Sequence, residues 1–197
     1  MNRMLIPFVI LAVAIGFVVA GCKASRAGYE SAPYKVVRAS GRFEVRDYPA
    51  LRVVETPMSR AGDGTDSSFN RLFRFITGAN DGAQKIAMTT PVFMSGSDPK
   101  ATMAFVLPAK FQTDGVPKPK DGSVRVRELE AGRFAVLRYS GVRSSREEAE
   151  SLAELKTWMA SEAMKVLSPP VYGYFDPPWT PAFMRRNEVM LRTDAGR

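Results

Sequence analysis

The chain has no histidine among its 197 residues. Ser-His-Asp and Cys-His nucleophile systems are therefore excluded, and so is any metal site built on imidazole. Cysteine occurs once, at Cys22, so no disulfide can form within the chain. The 15 glycines fall in turns, without the strand-to-helix setting of a phosphate-binding loop. An acidic excess is lacking too: 28 Lys and Arg stand against 20 Asp and Glu, a net charge of +8. The cations are dispersed and no aromatic-interleaved basic stripe occurs, which argues against a nucleic-acid partner. A moderately basic surface suits anionic ligands or lipid headgroups instead. No pair of carboxylates is committed to acid and base roles. Glu44, Asp47, Glu55, Glu128 and Glu130 sit in alternating, strand-like runs and are expected on a solvated strand face. No catalytic residue is assigned, and the chain is read as a non-enzyme.

What is present begins with a long apolar run. Arg3 supplies a short positive start, and residues 4–19 are apolar apart from Pro7 and Gly16. The run ends in Val19-Ala20-Gly21-Cys22. That string resembles the bacterial lipobox, which implies cleavage before Cys22, diacylation of its thiol and attachment to a membrane by acyl chains. An uncleaved transmembrane anchor is the other reading, since the run is at the edge of spanning length. The lone cysteine, at the one place where lipidation needs it, favours the lipobox. Residues 1–21 are then a signal peptide and residues 22–33, polar and small, a tether. Lys23 resembles the residue that follows the cysteine in lipoproteins sorted to the outer membrane. The expected location is the bacterial envelope, lipid-anchored and facing the periplasm.

Residues 34–197 suffice for one domain with a real core. Loops rich in Gly, Pro and Asp are expected at 57–66 and 109–123. The second loop divides the domain into halves, 34–108 and 124–193, in which the order strand, helix, strand, strand occurs twice. Residues 42–56 and 124–139 alternate at the strand period, and each run precedes a helical stretch, at 67–77 and 145–166. Extended runs follow at 85–94 and 102–107, and again at 171–175 and 188–192. In the first helix Phe69, Leu72, Phe73 and Ile76 make an apolar stripe, with Arg71 and Arg74 off it and Gly78 as the stop. In the second, Ser145 and Glu148 form a capping box, Leu152, Leu155, Met159 and Ala163 make the stripe, and Pro169 and Pro170 close it. The fold class is α+β, with each amphipathic helix covering an antiparallel sheet.

Five segments carry a resemblance: FEVRDYPALRVVET at 43–56, FNRLFRFITGAN at 69–80, KIAMTTPV at 85–92, MAFVLP at 103–108 and YFDPPWTPAFMRRNEV at 174–189. In this order they resemble the SOUL family of haem-binding-like proteins over residues 34–193. The resemblance implies a distorted antiparallel β-barrel built from two pseudo-symmetric strand-helix-strand-strand repeats. It also implies a groove beside the first helix, lined by apolar side chains, with basic residues for the carboxylates of a tetrapyrrole. By matching positions, Phe73 is an apolar contact and Arg71 and Arg74 are the nearby cations. Haem or another tetrapyrrole is the implied cofactor, held without histidine ligation and without a protein metal site.

Each of these residues has a plainer reading. Met88 offers a soft contact surface to a ligand or fills the core. Trp179, on the rigid DPPW turn, sits at a rim or packs inside a bent loop. Arg71 and Arg74 are ligand cations or solvated helix charges. In RRNEV, Arg185, Arg186 and Glu188 bind an acidic group or fasten the last strand as a surface or semi-buried ion pair. The function expected is a membrane-anchored, non-catalytic binder of a planar hydrophobic molecule. The alternative is an envelope lipoprotein, structural or protein-binding, whose slot is filled by its own side chains.

Overall fold

The computed structural model describes residues 28–58, 67–96, 100–113 and 115–194. The apolar run, Cys22, the first half of the tether and most of the 57–66 loop lie outside them. Eleven strands and two α-helices are present among the described residues: β1 (Glu30–Ser31), β2 (Lys35–Ser40), β3 (Phe43–Tyr48), β4 (Leu51–Pro57), α1 (Ser68–Ile76), β5 (Thr89–Thr90), β6 (Val92–Ser95), β7 (Thr102–Val106), β8 (Arg125–Leu129), β9 (Gly132–Tyr139), α2 (Ser145–Ser161), β10 (Val171–Tyr174) and β11 (Asn187–Arg192). Each alternating run thus yields two strands, broken at Pro49-Ala50 and at Glu130-Ala131.

Nine strands form one antiparallel sheet in the order β2-β3-β9-β11-β10-β6-β7-β4-β8. The duplication is visible in that order. Reading outward from the β10–β6 pair, β11, β9 and β3 on one side answer β7, β4 and β8 on the other. The first strand of each repeat therefore pairs with the second strand of the other repeat. This exchange dictates the shape. In a flat sheet β3 and β4 would lie six steps apart, about 29 Å at about 4.8 Å per step. Yet only Pro49 and Ala50 join them, a span of about 11 Å at most. The sheet must curl until its two ends approach, and the result is the half-barrel of the SOUL-like fold.

Alternation along the strands sends side chains to two faces. On the convex face, Val54, Met94, Met103 and Phe105 pack beneath α1, and Ala135, Leu137, Val189 and Leu191 beneath α2. On the concave face, Leu51, Val53, Phe93, Val106, Val136 and Met190 meet across the curl. Ala32 is buried in this third cluster, and Glu30 and Ser31 pair with Thr89 and Thr90. The end of the stretch expected to be a tether is therefore part of the folded body.

The helices depart from expectation in register. The buried face of α1 is Ser68, Leu72, Phe75 and Ile76, whereas Phe69 and Phe73 are exposed. Both stripes have helical spacing, and only the direction of the sheet selects between them. Gly78, at φ 119°, follows the helix end as expected. In α2 the cap is Ser144, whose hydroxyl accepts from the Glu147 N–H at 3.1 Å, one residue before the expected Ser145 and Glu148. Leu155 and Met159 are fully buried and Leu152 partly so. Ala163 is exposed and stands at φ 52°, and the Met164 N–H returns to Met159 O at 2.9 Å. That turn, not the later prolines, ends the helix.

The concave face also corrects the placement of two carboxylates. Glu44 and Glu55, expected in solvent, are buried. Glu44 belongs to an ionic cluster centred on Arg46, which is completely buried in β3. Arg46 donates to Glu188 through Nη1 and Nη2 at 2.7 and 2.9 Å, and through Nε to Glu44 at 2.6 Å. Its guanidinium lies 4.2 Å from the Tyr34 ring centroid. Arg186 adds two donors to Glu188, at 2.8 and 2.6 Å, so the ion pair expected in the RRNEV segment forms through Arg186 and is more deeply buried than expected, while Arg185 donates to Thr180 O and Pro178 O instead. Burial pushes the Glu44 carboxyl up, but the hydrogen bonds and fields of Arg46 and then Arg138 outweigh it and hold it below the ordinary value.

Two outcomes are expected. Ser144→Ala costs about 1 kcal/mol in denaturant melts and Ser145→Ala close to nothing, which reads the cap position directly. Because the Glu44 pKa is depressed on folding, its contribution is present above the unfolded value near 4.5 and lost as pH falls through the folded one. The stability gap between wild type and Glu44→Gln therefore closes on acidification.

Candidate ligand-binding site

The first helix presents two different flanks. At 100° per residue, the buried residues of α1 define one direction, with Phe69 and Phe73 to one side and Arg71 and Arg74 to the other. The two phenyl rings are stacked, with centroids 6.0 Å apart and planes 15° apart. Phe69 also meets Phe105 of β7 edge-on at 5.2 Å. At 44% and 45% exposure the pair forms an apolar ledge facing solvent. Met88 is partly buried against the core beneath α1, as are Val92 and Tyr174.

The opposite flank borders a depression of about 300 Å³, lined by Arg71, Arg74, Phe75, Lys120, Asp121 and Val124 among others. A loop held by backbone contacts forms its far wall. The Asp81 N–H donates to Lys118 O at 3.0 Å, the Lys118 N–H donates to Asp81 Oδ1 at 2.7 Å, and Asn80 bridges to Pro119. Asn80 is fully buried and donates through Nδ2 to Phe75 O and Gln84 O, which seats this loop against the end of the helix.

The two arginines do different things. Arg71 donates from Nε to Thr56 Oγ1 at 3.0 Å, from Nη1 to Ser67 Oγ at 2.8 Å and from Nη2 to Pro57 O at 2.5 Å. It ties the start of α1 to the end of β4. Arg74 has a side chain 67% exposed, and its nearest carboxylate is Asp121 at 3.7 Å. The Ser123 hydroxyl and N–H, and then Arg74 and Arg71, hold the Asp121 carboxyl below its ordinary value. Two arginines thus favour the ionised form of this carboxylate, and Lys120 lines the same depression.

Of the residues singled out in the sequence, Arg71 and Arg74 share the depression. Phe73 does not line it, and neither do Met88 or Trp179. Trp179 is 79% exposed, so it does not pack inside its loop. Its loop is braced by Arg185, which donates from Nε to Thr180 O at 2.8 Å and from Nη2 to Pro178 O. Sequence reasoning missed Lys120 and Asp121, for which the only signal was a lysine-bearing loop. It also placed Phe69 in the core.

Comparison with known proteins gives a consistent family. The SOUL heme-binding protein model matches residues 29–192. Heme-binding protein 1 of Bos taurus is 26% identical over 151 residues, covering 73% of this chain and 76% of that protein. Heme-binding protein 2 of Homo sapiens is 28% identical over 163 residues, covering 77% and 78%. Among solved structures, the EcmrR C-terminal domain superposes with a TM-score of 0.55 at 12% identity, covering 82% of this chain and 98% of that one. At that identity the likeness shows a shared fold. The matched residues span both repeats and both helices, and the chain belongs to the SOUL heme-binding protein family.

Proposed function

We propose that this chain is a membrane-anchored, non-catalytic binder of haem or a similar planar tetrapyrrole, facing the periplasm. The observation that carries the reading is the exposed, stacked Phe69–Phe73 ledge on α1, with the exposed Arg74 next in sequence to Phe73. A macrocycle face packs on the ledge, with Met88 as a soft contact behind it. A propionate pairs with Arg74, assisted by Lys120. Arg71 supports the helix rather than the ligand, since its fork is committed to Thr56, Ser67 and Pro57. With no histidine in the chain, affinity comes from packing and charge pairing, and bound haem would supply its own iron chemistry. Trp179, on a separate braced loop, is assigned a rim role only. The lipid anchor on Cys22 holds the domain at the envelope, with the outer membrane as the favoured site.

Titrating the full chain with hemin, followed by the Soret band, is expected to give saturable binding on the order of micromolar. Phe69→Ala/Phe73→Ala and Arg74→Ala each weaken it about tenfold. Arg71→Ala leaves hemin affinity within about twofold but lowers the melting temperature, because two hydrogen bonds between α1 and β4 and one to the helix cap Ser67 are lost. An absence of saturable binding, or variants indistinguishable from wild type, refutes the ledge and favours a structural or protein-binding lipoprotein. Separately, Cys22→Ser is expected to release the protein from the membrane fraction. Retention would point to an uncleaved anchor.

A further inference from the structure

A further opening among the described residues lies away from α1. It is a cleft of about 410 Å³ on the concave face, where the two ends of the curled sheet approach. That volume lies in the range of small-molecule sites. Its walls come from both repeats and are mainly apolar: Leu51, Phe93, Leu129, Phe134, Val171 and Met190. We propose that this cleft is a second ligand site, separate from the α1 ledge, for an apolar molecule carrying a protonated amine, with Glu55 as its ionic partner.

The polar groups of the cleft decide the sign of the ligand. Arg192 is committed: Nη1 and Nη2 each donate at 3.0 Å, to Ala131 O and Glu130 O, and the guanidinium lies 5.1 Å from the Phe134 ring centroid. The Ser95 hydroxyl is paired with Thr102, and the Tyr48 hydroxyl accepts from Arg46. Ser168 Oγ donates to Pro169 O and accepts the Arg192 N–H. Glu55 is different. Its residue is 8% exposed, yet among the described residues its carboxylate has one contact, Arg127 Nη1 at 3.2 Å.

A carboxylate can accept about four hydrogen bonds, so most of this acceptor capacity is left to the cleft that Glu55 lines. The Arg127 side chain is 60% exposed and held at a single point. Such a contact is worth little and can be exchanged. An ammonium group entering the cleft would meet Glu55 in surroundings of low dielectric, where an ion pair is stronger than at the surface, while Arg127 swings into solvent. Exposed Glu128 and Glu130 at the rim add attraction of the same sign. An acidic ligand would meet these three carboxylates, and the Arg192 fork is already occupied.

The test uses the full chain in lipid nanodiscs and calorimetric titration with three probes of one shape: 1-naphthylmethylamine, 1-naphthalenemethanol and 1-naphthaleneacetate. The amine is expected to bind about tenfold tighter than the alcohol, with the acetate weakest. Glu55→Gln abolishes the preference for the amine and leaves the alcohol unchanged. Arg127→Ala strengthens the amine about threefold by freeing Glu55, a gain that loss of folding cannot mimic. Val171→Trp fills the cleft and removes all three. Hemin binding is expected to persist in each variant, so failure of this site and failure of the α1 ledge are read independently. Equal affinity for the three probes, tightest binding of the acetate, no binding of any probe, or a preference that survives Glu55→Gln overturns the proposal.

Discussion

The structure turns on the buried ion pair between Arg46 and Glu188. Both side chains are completely shielded from solvent, and each is held by the other together with a further partner, Glu44 for Arg46 and Arg186 for Glu188. Burial alone would lower the arginine pKa, but the hydrogen bonds and field of Glu188 outweigh it and keep the guanidinium charged. The pair joins β3 to β11 across β9, and Arg186 and Tyr34 extend it to the loop before β11 and to the chain entering β2. Removing either partner would leave the other buried with only part of its charge compensation, which breaks the network at its most enclosed point.

That cluster occupies one end of the concave face, and the consequence is spatial. With its charges satisfied at that end, the rest of the concave face can be apolar, and the gap left between the sheet ends becomes the cleft that contains Glu55. On the convex face α1 and α2 cover the sheet with packed hydrophobic layers. Binding on the α1 side must therefore use the outer surface of the helix: a ledge of two phenyl rings on one flank and a cationic depression on the other. The two candidate sites stand on opposite faces of one sheet and answer to different chemistry.

Much of the architecture was legible in advance. Alternating runs, two helical stretches and a repeated element order identify a duplicated α+β domain, and the sheet order bears the duplication out. The misreadings share one cause. Phe69 and Phe73 satisfy helical spacing as well as Leu72 and Phe75 do, and Glu44 and Glu55 alternate with apolar neighbours as any solvated carboxylates would. Period alone says that an element has two faces; it does not say which face meets the core. When both faces of a sheet are covered, the usual assignment of charge to solvent fails, and only a partner such as Arg46 or Arg127 from a neighbouring strand or the same one reveals it.

By itself the sequence determined what is chemically available: no imidazole, one thiol, a basic balance, and the amphipathic segments from which a two-repeat domain is made. Those are properties of composition and local period. Only the tertiary structure decided that the repeats exchange their first strands, that Arg71 clamps while Arg74 stays exposed with one long contact to Asp121, and that Glu55 is buried beside an open cleft. Each of these follows from contacts between residues far apart in the chain, set by how a curled sheet closes on itself, and a local pattern carries no record of them.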